Sequence, residues 1–289
     1  MKKYIGIILA GGSGTRLYPI TSVYSKQLIN IYDKPMIYYP LSTLMLMGIK
    51  DILIISDHKT KPLYQKLFRD GKHLGLNIQY EIQDRPNGIA EAFIIGEKFV
   101  AQNNVILILG DNLFYGDMDI FRSVVQQHKI ATIFGCFVHN PTEYGVVEFD
   151  QFDNIISIEE KPKKPKSFYA IPGLYIYDNS VINVAKKIQN SDRGELEITD
   201  VNQQYLNNNN LIGVKLGRGV AWLDTGTPQS LLEAGNFIST IEKRQGLKIG
   251  CIEEIAYRQD WITKDQLFNL ITLLPNNQYR EYLNRIYYE

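Results

Sequence analysis

The stretch Tyr4-Ile5-Gly6-Ile7-Ile8-Leu9-Ala10-Gly11-Gly12-Ser13-Gly14-Thr15-Arg16-Leu17 decides the fold. Its first six residues form a short, nearly continuous apolar run, the mark of a strand buried on both faces. Three glycines follow within five residues of the strand's end. Glycine lets backbone N–H groups turn inward and approach phosphate oxygens closely. Arg16 stands where a guanidinium can grip phosphates through paired hydrogen bonds. Lys26, ten residues on, adds a second cation. The loop is not a Walker sequence, because G-x-x-x-x-G-K-[ST] is absent. Nor is it G-x-G-x-x-G, because position 17 is Leu. A nicotinamide-dependent oxidoreductase on a doubly wound fold needs that second pattern, so it is disfavoured. Alone, the stretch also reads as a glycine-rich strand–helix turn with a surface arginine.

Working outward, β-rich apolar runs alternate with helical patterns. Strands are expected at 51–56, 76–83 and 105–109, the last too apolar for any but a central position. Helices are expected at 35–47, with Pro35 in the first turn, at 61–69 and at 89–100. This order implies a parallel, doubly wound sheet with right-handed crossovers. After about residue 130 the texture changes. Strands at 131–138, 145–149, 155–158 and 169–177 predict a mixed or antiparallel extension. Helices return at 181–188 and 199–207. A strand pair, 211–216 with 220–223, precedes a long helix over 228–243. The last 45 residues are mostly helical and rich in tyrosine. The expected class is α/β: a doubly wound, mostly parallel mixed sheet with a small antiparallel extension and C-terminal helices.

Composition narrows the function. Apolar residues make up 45%, enough for a sizeable core. Thirty-one basic and 31 acidic residues give zero net charge, so a phosphate must be held by local geometry and a nucleic-acid polymer is a poor partner. Cys136 and Cys251 lie in no C-x-x-C, and the four histidines form no cluster, so neither zinc nor a disulfide framework is expected. The N-terminal apolar run is broken after about seven residues, too few for a signal peptide. No stretch approaches the roughly 20 apolar residues of a membrane span. The chain reads as cytosolic.

Four further sites could carry chemistry. Gly110-Asp111-Asn112 follows the fourth strand, and Trp222-Leu223-Asp224-Thr225-Gly226 follows another short one. Each puts an Asp at a strand's carboxyl end, where open α/β sheets bind ligands. Two carboxylates beside a triphosphate suit Mg²⁺, whose remaining ligands come from phosphate and water. Either Asp alone could be a turn or cap residue. Glu159-Glu160-Lys161-Pro162 offers a carboxylate for sugar hydroxyls and a Lys for a phosphate, or else is a charged strand end running into a Lys-Pro loop. Arg193-Gly194-Glu195-Leu196-Glu197-Ile198-Thr199-Asp200 is a phosphate-binding arginine ahead of a helix, or a solvated helix start with early acids.

These pieces resemble a family when taken in order. They are residues 9–17, Ser25-Lys26-Gln27-Leu28, Tyr32-Asp33-Lys34-Pro35-Met36-Ile37-Tyr38-Tyr39-Pro40, Gly110-Asp111-Asn112, Glu143-Tyr144-Gly145-Val146-Val147-Glu148-Phe149, 159–162, 193–200 and 222–227. Together they resemble the sugar nucleotidyltransferases of the glucose-1-phosphate thymidylyltransferase type, over essentially the whole chain. The resemblance implies a Rossmann-like nucleotidyltransferase fold. Its catalytic domain would span 1–244, with a nucleotide-binding half to about 130 and a sugar-phosphate half from 131. An oligomerisation or regulatory helical element would span 245–289. It implies dTMP transfer from dTTP to α-D-glucose 1-phosphate with Mg²⁺, feeding dTDP-sugar routes such as that to dTDP-L-rhamnose. A homotetramer and feedback inhibition by a dTDP-sugar at a separate interface site are implied as well.

Residue by residue, the resemblance carries over as follows. Leu9, Gly11, Gly12, Ser13, Gly14, Thr15, Arg16, Gln27, Pro86 and Asp111 would bind the nucleotide, and Gln83 and Gly88 would read the thymine edge. Asn112, Tyr144, Gly145, Glu160, Lys161, Ile171 and Arg193 would form the sugar-phosphate pocket. Asp111 and Asp224 would hold the metal, and Arg16, Lys26 and Lys161 would act in catalysis. Five positions depart from the usual pattern: Ile89 and Glu91 stand where the family commonly has Leu and Gln, Ile171 stands where it has Val, and Phe168 and Pro172 remove a side-chain amide and a hydroxyl. A non-catalytic nucleotide-sugar-binding regulator would be expected to have lost Arg16, Lys26, Asp111 or Asp224, yet all four are present.

Overall fold

The computed structural model describes residues 3–12, 14–127 and 131–289. β1 (Tyr4–Leu9) lies inside the main sheet. β2 (Asn30–Ile31) and β3 (Lys34–Pro35) form a small antiparallel pair. α1 (Tyr38–Leu46) leads to β4 (Asp51–Ser56), and α2 (Lys61–Phe68) to β5 (Asn77–Ile82). α3 (Glu91–Ile95) and α4 (Glu97–Val100) lead to β6 (Asn104–Leu109). Next come β7 (Asn112–Gly116), α5 (Asp119–Gln127) and β8 (Ala131–Phe137). β9 (Gly145–Phe149), β10 (Ile155–Glu160), β11 (Tyr169–Ala170) and β12 (Leu174–Tyr177) follow. α6 (Val181–Ala185) and α7 (Ile198–Asn207) precede β13 (Leu211–Leu216) and β14 (Val220–Asp224). α8 (Pro228–Gln245), α9 (Ile252–Arg258), α10 (Lys264–Leu273) and α11 (Gln278–Tyr288) complete the order.

Among the described residues the main sheet has ten strands in the order β10-β9-β11-β8-β12-β6-β1-β4-β5, with β13 beside β8. β6, β1, β4 and β5 are mutually parallel. β12 runs antiparallel to both β6 and β8 and so joins the parallel half to the mixed half. Alternate residues of the parallel strands feed two cores. Ile8, Ile52, Ile54, Ile106 and Ile108 meet Leu41 and Leu44 of α1, Phe68 of α2 and Phe121 of α5. Ile7, Leu53, Ile55, Val105 and Leu107 meet Phe93 of α3, Val181 of α6 and Val201 of α7. Both faces are apolar because both are covered by helices. Ile252, Leu267 and Leu283, from α9 to α11, join the first of these cores.

The expected α/β class is the one found, but several elements differ. The segments 211–216 and 220–223 do not pair with each other. β13 joins the main sheet parallel to β8, while β14 pairs antiparallel with β7 in a separate two-stranded sheet. β7 is hard to see in the sequence because it begins at Asn112, inside what looks like a turn, so β14 has no visible partner there. Pro35 lies in β3, and it is Pro40 that occupies the first turn of α1, where no N–H is needed. The helix expected at 89–100 is divided at Gly96 into α3 and α4. The strand expected at 169–177 breaks at Pro172-Gly173, since Pro offers no ladder donor. α5 is an additional helix that the sequence pattern does not announce; it buries Phe121 and Val124.

A buried charge cluster ties distant segments together. Lys34 is 3% exposed, and its Nζ donates to Asp33 Oδ1 (2.5 Å), Glu242 Oε1 (3.3 Å) and the Ile249 carbonyl (2.8 Å). Lys248 reaches the same two carboxylates, Asp33 at 2.5 Å and Glu242 at 3.2 Å. Removing one member of a buried charge set leaves the others uncompensated. Lys34→Ala is therefore expected to cost about 3–5 kcal/mol of stability. A lowered urea midpoint at unchanged slope is the reading that checks it.

Candidate active site

Strand register assembles the site. Leu9 is opposite Ile55 on one side and Leu109 on the other, so the loops after β1 and β6 emerge together at the sheet's carboxyl edge. The Gly110 N–H donates to the Leu9 carbonyl at 2.9 Å. A cup of about 240 Å³ opens there, lined by Gly11, Gly12, Gly14, Thr15, Arg16, Lys26, Gln27, Asp111 and Gly226. Gly12 and Gly14 have φ of 112° and 57°, a backbone that a side chain would strain. Ser13 lies outside the described residues. Gln27 Nε2 donates to the Gly11 carbonyl (3.2 Å) and Thr21 Oγ1 to the Gly14 carbonyl (3.0 Å), which holds the loop open.

Two cations and two carboxylates converge on this cup. Lys26 is buried, with its Nζ 2.5 Å from Asp111 Oδ2. Arg16 is exposed, 3.5 Å from Glu143 Oε2. A Cβ at Gly226 would sit 3.1 Å from Arg16 Nη2 and 3.2 Å from Asp224 Oδ1, so that glycine leaves room for both. Asp111 follows β6 of the main sheet, whereas Asp224 belongs to the separate two-stranded sheet. Asp224 ends β14, where it pairs with Asn112, the neighbour of Asp111. Burial first, then the charge of Asp111, pushes the Asp224 carboxyl pKa up, against the pull of Lys26 and Arg16. Two hard oxygen donors, one of them electrostatically disfavoured, fit a divalent cation that draws its other ligands from phosphate and water. Among the described residues no cluster of three or more Asp, Glu, His or Cys offers a fuller protein cage.

A second cavity of about 230 Å³ shares Arg16 and Asp111 with the first. Tyr144, Gly145, Glu160, Lys161, Ile171, Thr199 and Trp222 line it. Glu160 Oε2 accepts from Thr199 Oγ1 at 2.6 Å, and Glu160 Oε1 lies 3.8 Å from Lys161 Nζ. Lys161 holds a positive φ of 42°, a strained backbone for a side-chain-bearing residue and a common feature of functional sites. Arg193 stands behind the wall and touches Glu160 (3.4 Å) and Glu197 (2.8 Å). Asn112 lines the cavity, but its amide is engaged. Its Oδ1 accepts from Trp222 Nε1 (2.6 Å) and the Gly173 N–H (2.9 Å), and its Nδ2 donates to Asp111 Oδ1 (2.9 Å). Burial, with Asp224 and Glu143 close by, pushes the Tyr144 hydroxyl up to about 12, so it stays a donor.

Gln83 and Gly88 lie beside the cup without lining it, and Pro86 is exposed. In the sequence Thr199 reads only as part of a helix start, and its bond to Glu160 spans 39 residues, beyond any local pattern. Of the departures, Phe168 is exposed against the Phe137 ring, and Pro172 lies in the break between β11 and β12.

The nucleotidyl transferase family model matches residues 5–241. The chain belongs to that family. Proteins called glucose-1-phosphate thymidylyltransferase are similar along nearly its whole length. The Neisseria meningitidis protein is 51% identical over 97% of this chain and 98% of its own. That of Xanthomonas campestris pv. campestris is 54% identical, over 97% and 96%. That of Mycobacterium tuberculosis is 52% identical, over 96% and 97%. A Bacillus anthracis crystal structure assigned to the same enzyme, in complex with a sucrose, is 38% identical. It has a TM-score of 0.76 and covers 81% of this chain and 95% of that one. A UDP-glucose pyrophosphorylase complexed with UDP-glucose has a TM-score of 0.73 at 22% identity and covers 84% and 100%, a likeness of fold.

The Asp111–Asp224 pair gives this nucleotidyltransferase a measurable signature. Without a divalent cation, Asp224→Asn should raise the melting temperature, because it removes a desolvated carboxylate that also faces the charge of Asp111. Differential scanning calorimetry in chelator decides it; an unchanged or lower value would mean that the pair is not repulsive.

Proposed function

We propose that this nucleotidyltransferase moves dTMP from dTTP to α-D-glucose 1-phosphate, giving dTDP-glucose and pyrophosphate. The observation that carries the reading is the pair of adjoining cavities that share Arg16 and Asp111. One is walled by glycine backbone and cations, as a triphosphate needs. The other mixes a carboxylate, a Lys and apolar walls, as a sugar phosphate needs. The names and full-length similarity of the relatives supply the substrates.

In this reading a phosphate oxygen of the sugar phosphate attacks the α-phosphorus in line. The new P–O bond forms as the bond to the β-phosphate's bridging oxygen breaks, and pyrophosphate leaves with that electron pair. The attacking group is already an anion, so no strong base is required. The obstacle is the approach of two anions. Arg16 at the shared wall and Lys161 beside Glu160 offset that repulsion, and Lys26 steadies Asp111. Asp111 and Asp224 would hold Mg²⁺, which when bound withdraws charge from the triphosphate oxygens. Glu160, braced by Thr199, would accept from sugar hydroxyls. The loop Gly11–Thr15 would cradle the phosphates.

The same reading includes a homotetramer and a dTDP-sugar inhibitor bound apart from the active site. A cavity of about 350 Å³ between α1, β7 and α9, lined by Leu46, Tyr115, Arg258 and Gln259 among others, supports such a second site. The described residues contain no helix long and apolar enough to cross a membrane.

Mixing the protein with Mg²⁺, dTTP and glucose 1-phosphate should release pyrophosphate. Silence across a panel of triphosphates and hexose phosphates would sink the proposal in favour of a non-catalytic binder. Arg16→Ala should lower kcat/KM more than tenfold, a loss above ~1.4 kcal/mol; a smaller drop at saturating metal removes Arg16 from the mechanism.

A further inference from the structure

Gln83 directly follows β5, beside the glycine-rich loop, and is 6% exposed. Its amide is a two-sided reader, because Nε2 donates and Oε1 accepts. Which side faces the crevice depends on what holds the other. Here Nε2 donates to the Gly88 carbonyl at 3.2 Å and to Glu91 Oε2 at 2.8 Å. The second oxygen of Glu91 accepts from Asn87 Nδ2, also at 2.8 Å. A carbonyl and a carboxylate can only accept. Turning the amide over would set Gln83 Oε1 against two acceptors, so the orientation is dictated by chemistry. The free Oε1 faces Gly11, where a Cβ would come within 3.3 Å of it.

We propose that Glu91 is a positioning residue for base selection: it locks Gln83 so that only a carbonyl acceptor is shown to the nucleobase. The inference rests on the reading that the crevice beside Gly11 takes a nucleoside triphosphate. An acceptor there pairs with a base that offers an imide N–H, as thymine and uracil do at N3. It opposes cytosine, which presents a lone pair at that position. A Gln at position 91 has an amide of its own and can meet Gln83 with either end, so it specifies the orientation less strictly. Glu91 therefore makes the choice between pyrimidines stricter. Asn87 completes the device by keeping the second carboxylate oxygen occupied.

Calorimetric titration of the full-length protein with dTTP and with dCTP, each with Mg²⁺, tests this without relying on turnover. The wild type is expected to bind dTTP at least tenfold more tightly. Glu91→Met keeps the side chain's length but removes the acceptors, and should bring that ratio down to about threefold or less. Glu91→Gln, which can still accept, should fall between the two. The loss should appear in Kd and KM for dTTP, with kcat changed by no more than about twofold. A Glu91→Met ratio within twofold of wild type overturns the proposal, as does a wild type that binds both nucleotides alike. Equal weakening of both nucleotides by both variants, with a lowered melting temperature, marks Glu91 as a structural brace and also overturns it. Pyrophosphate release from wild type, measured separately, reports whether the transferase reading itself stands.

Discussion

Asp111 is held between opposite demands. Lys26, buried at the base of the phosphate loop, attracts it, while Asp224, brought in by β14, repels it. Without Lys26 the Asp111 carboxylate would face the desolvated Asp224 with no cation bonded to it. Without the carboxylates a buried ammonium would lack a counter-ion. The residues around Asp111 are tied into that balance by hydrogen bonds. Asn112 grips it from one side and is itself gripped by Trp222 and the Gly173 backbone. Thr225 adds a hydrogen bond to the Asp111 carbonyl. A phosphate loop and a metal-type acidic pair can coexist because one lysine lies between them.

The same logic extends into the second cavity. Glu160 is supported by Thr199 from α7 and by Arg193, so its charge is offset from behind while one face stays toward the cavity. Tyr144 packs edge-on against Trp222, and both rings line this cavity. Most side chains that would touch substrates are thus already oriented by neighbours from other strands. Preorganisation of this kind limits the reorganisation that transition-state stabilisation would otherwise require.

Much of this is legible in the sequence, and the gaps have physical causes. The parallel half can be read because β1, β4 and β6 are mostly apolar runs and β5 alternates apolar with polar residues, with a helical pattern between them. The phosphate loop stands out because three glycines directly after a buried strand bring backbone N–H groups within reach of an anion. β14 is harder: its own residues read as a strand, but its partner is concealed in Gly110-Asp111-Asn112, which has turn chemistry and a strand's geometry at once. Chemistry suggests that Asp224 and Asp111 belong together, but their proximity depends on a register across 112 residues, which no local pattern encodes. The roles of Thr199 and Glu91 are invisible for a related reason, since each acts through a hydrogen bond to a residue in another element. Sequence periodicity reports which face of an element is buried, and says nothing of which distant polar atom it meets there.

The cluster around Lys34 carries a consequence for synthesis on the ribosome. Its ammonium belongs to β3, near the start of the chain, yet its partners Glu242 and the Ile249 carbonyl arrive more than 200 residues later. Domains tend to fold from the N-terminus as they emerge, but this joint cannot close until α8 and the segment after it have left the exit tunnel. Until then the β2–β3 pair lacks its anchor. The long helix therefore works as a late keystone: the nucleotide-facing half can collapse early, but it becomes rigid only when translation is almost complete.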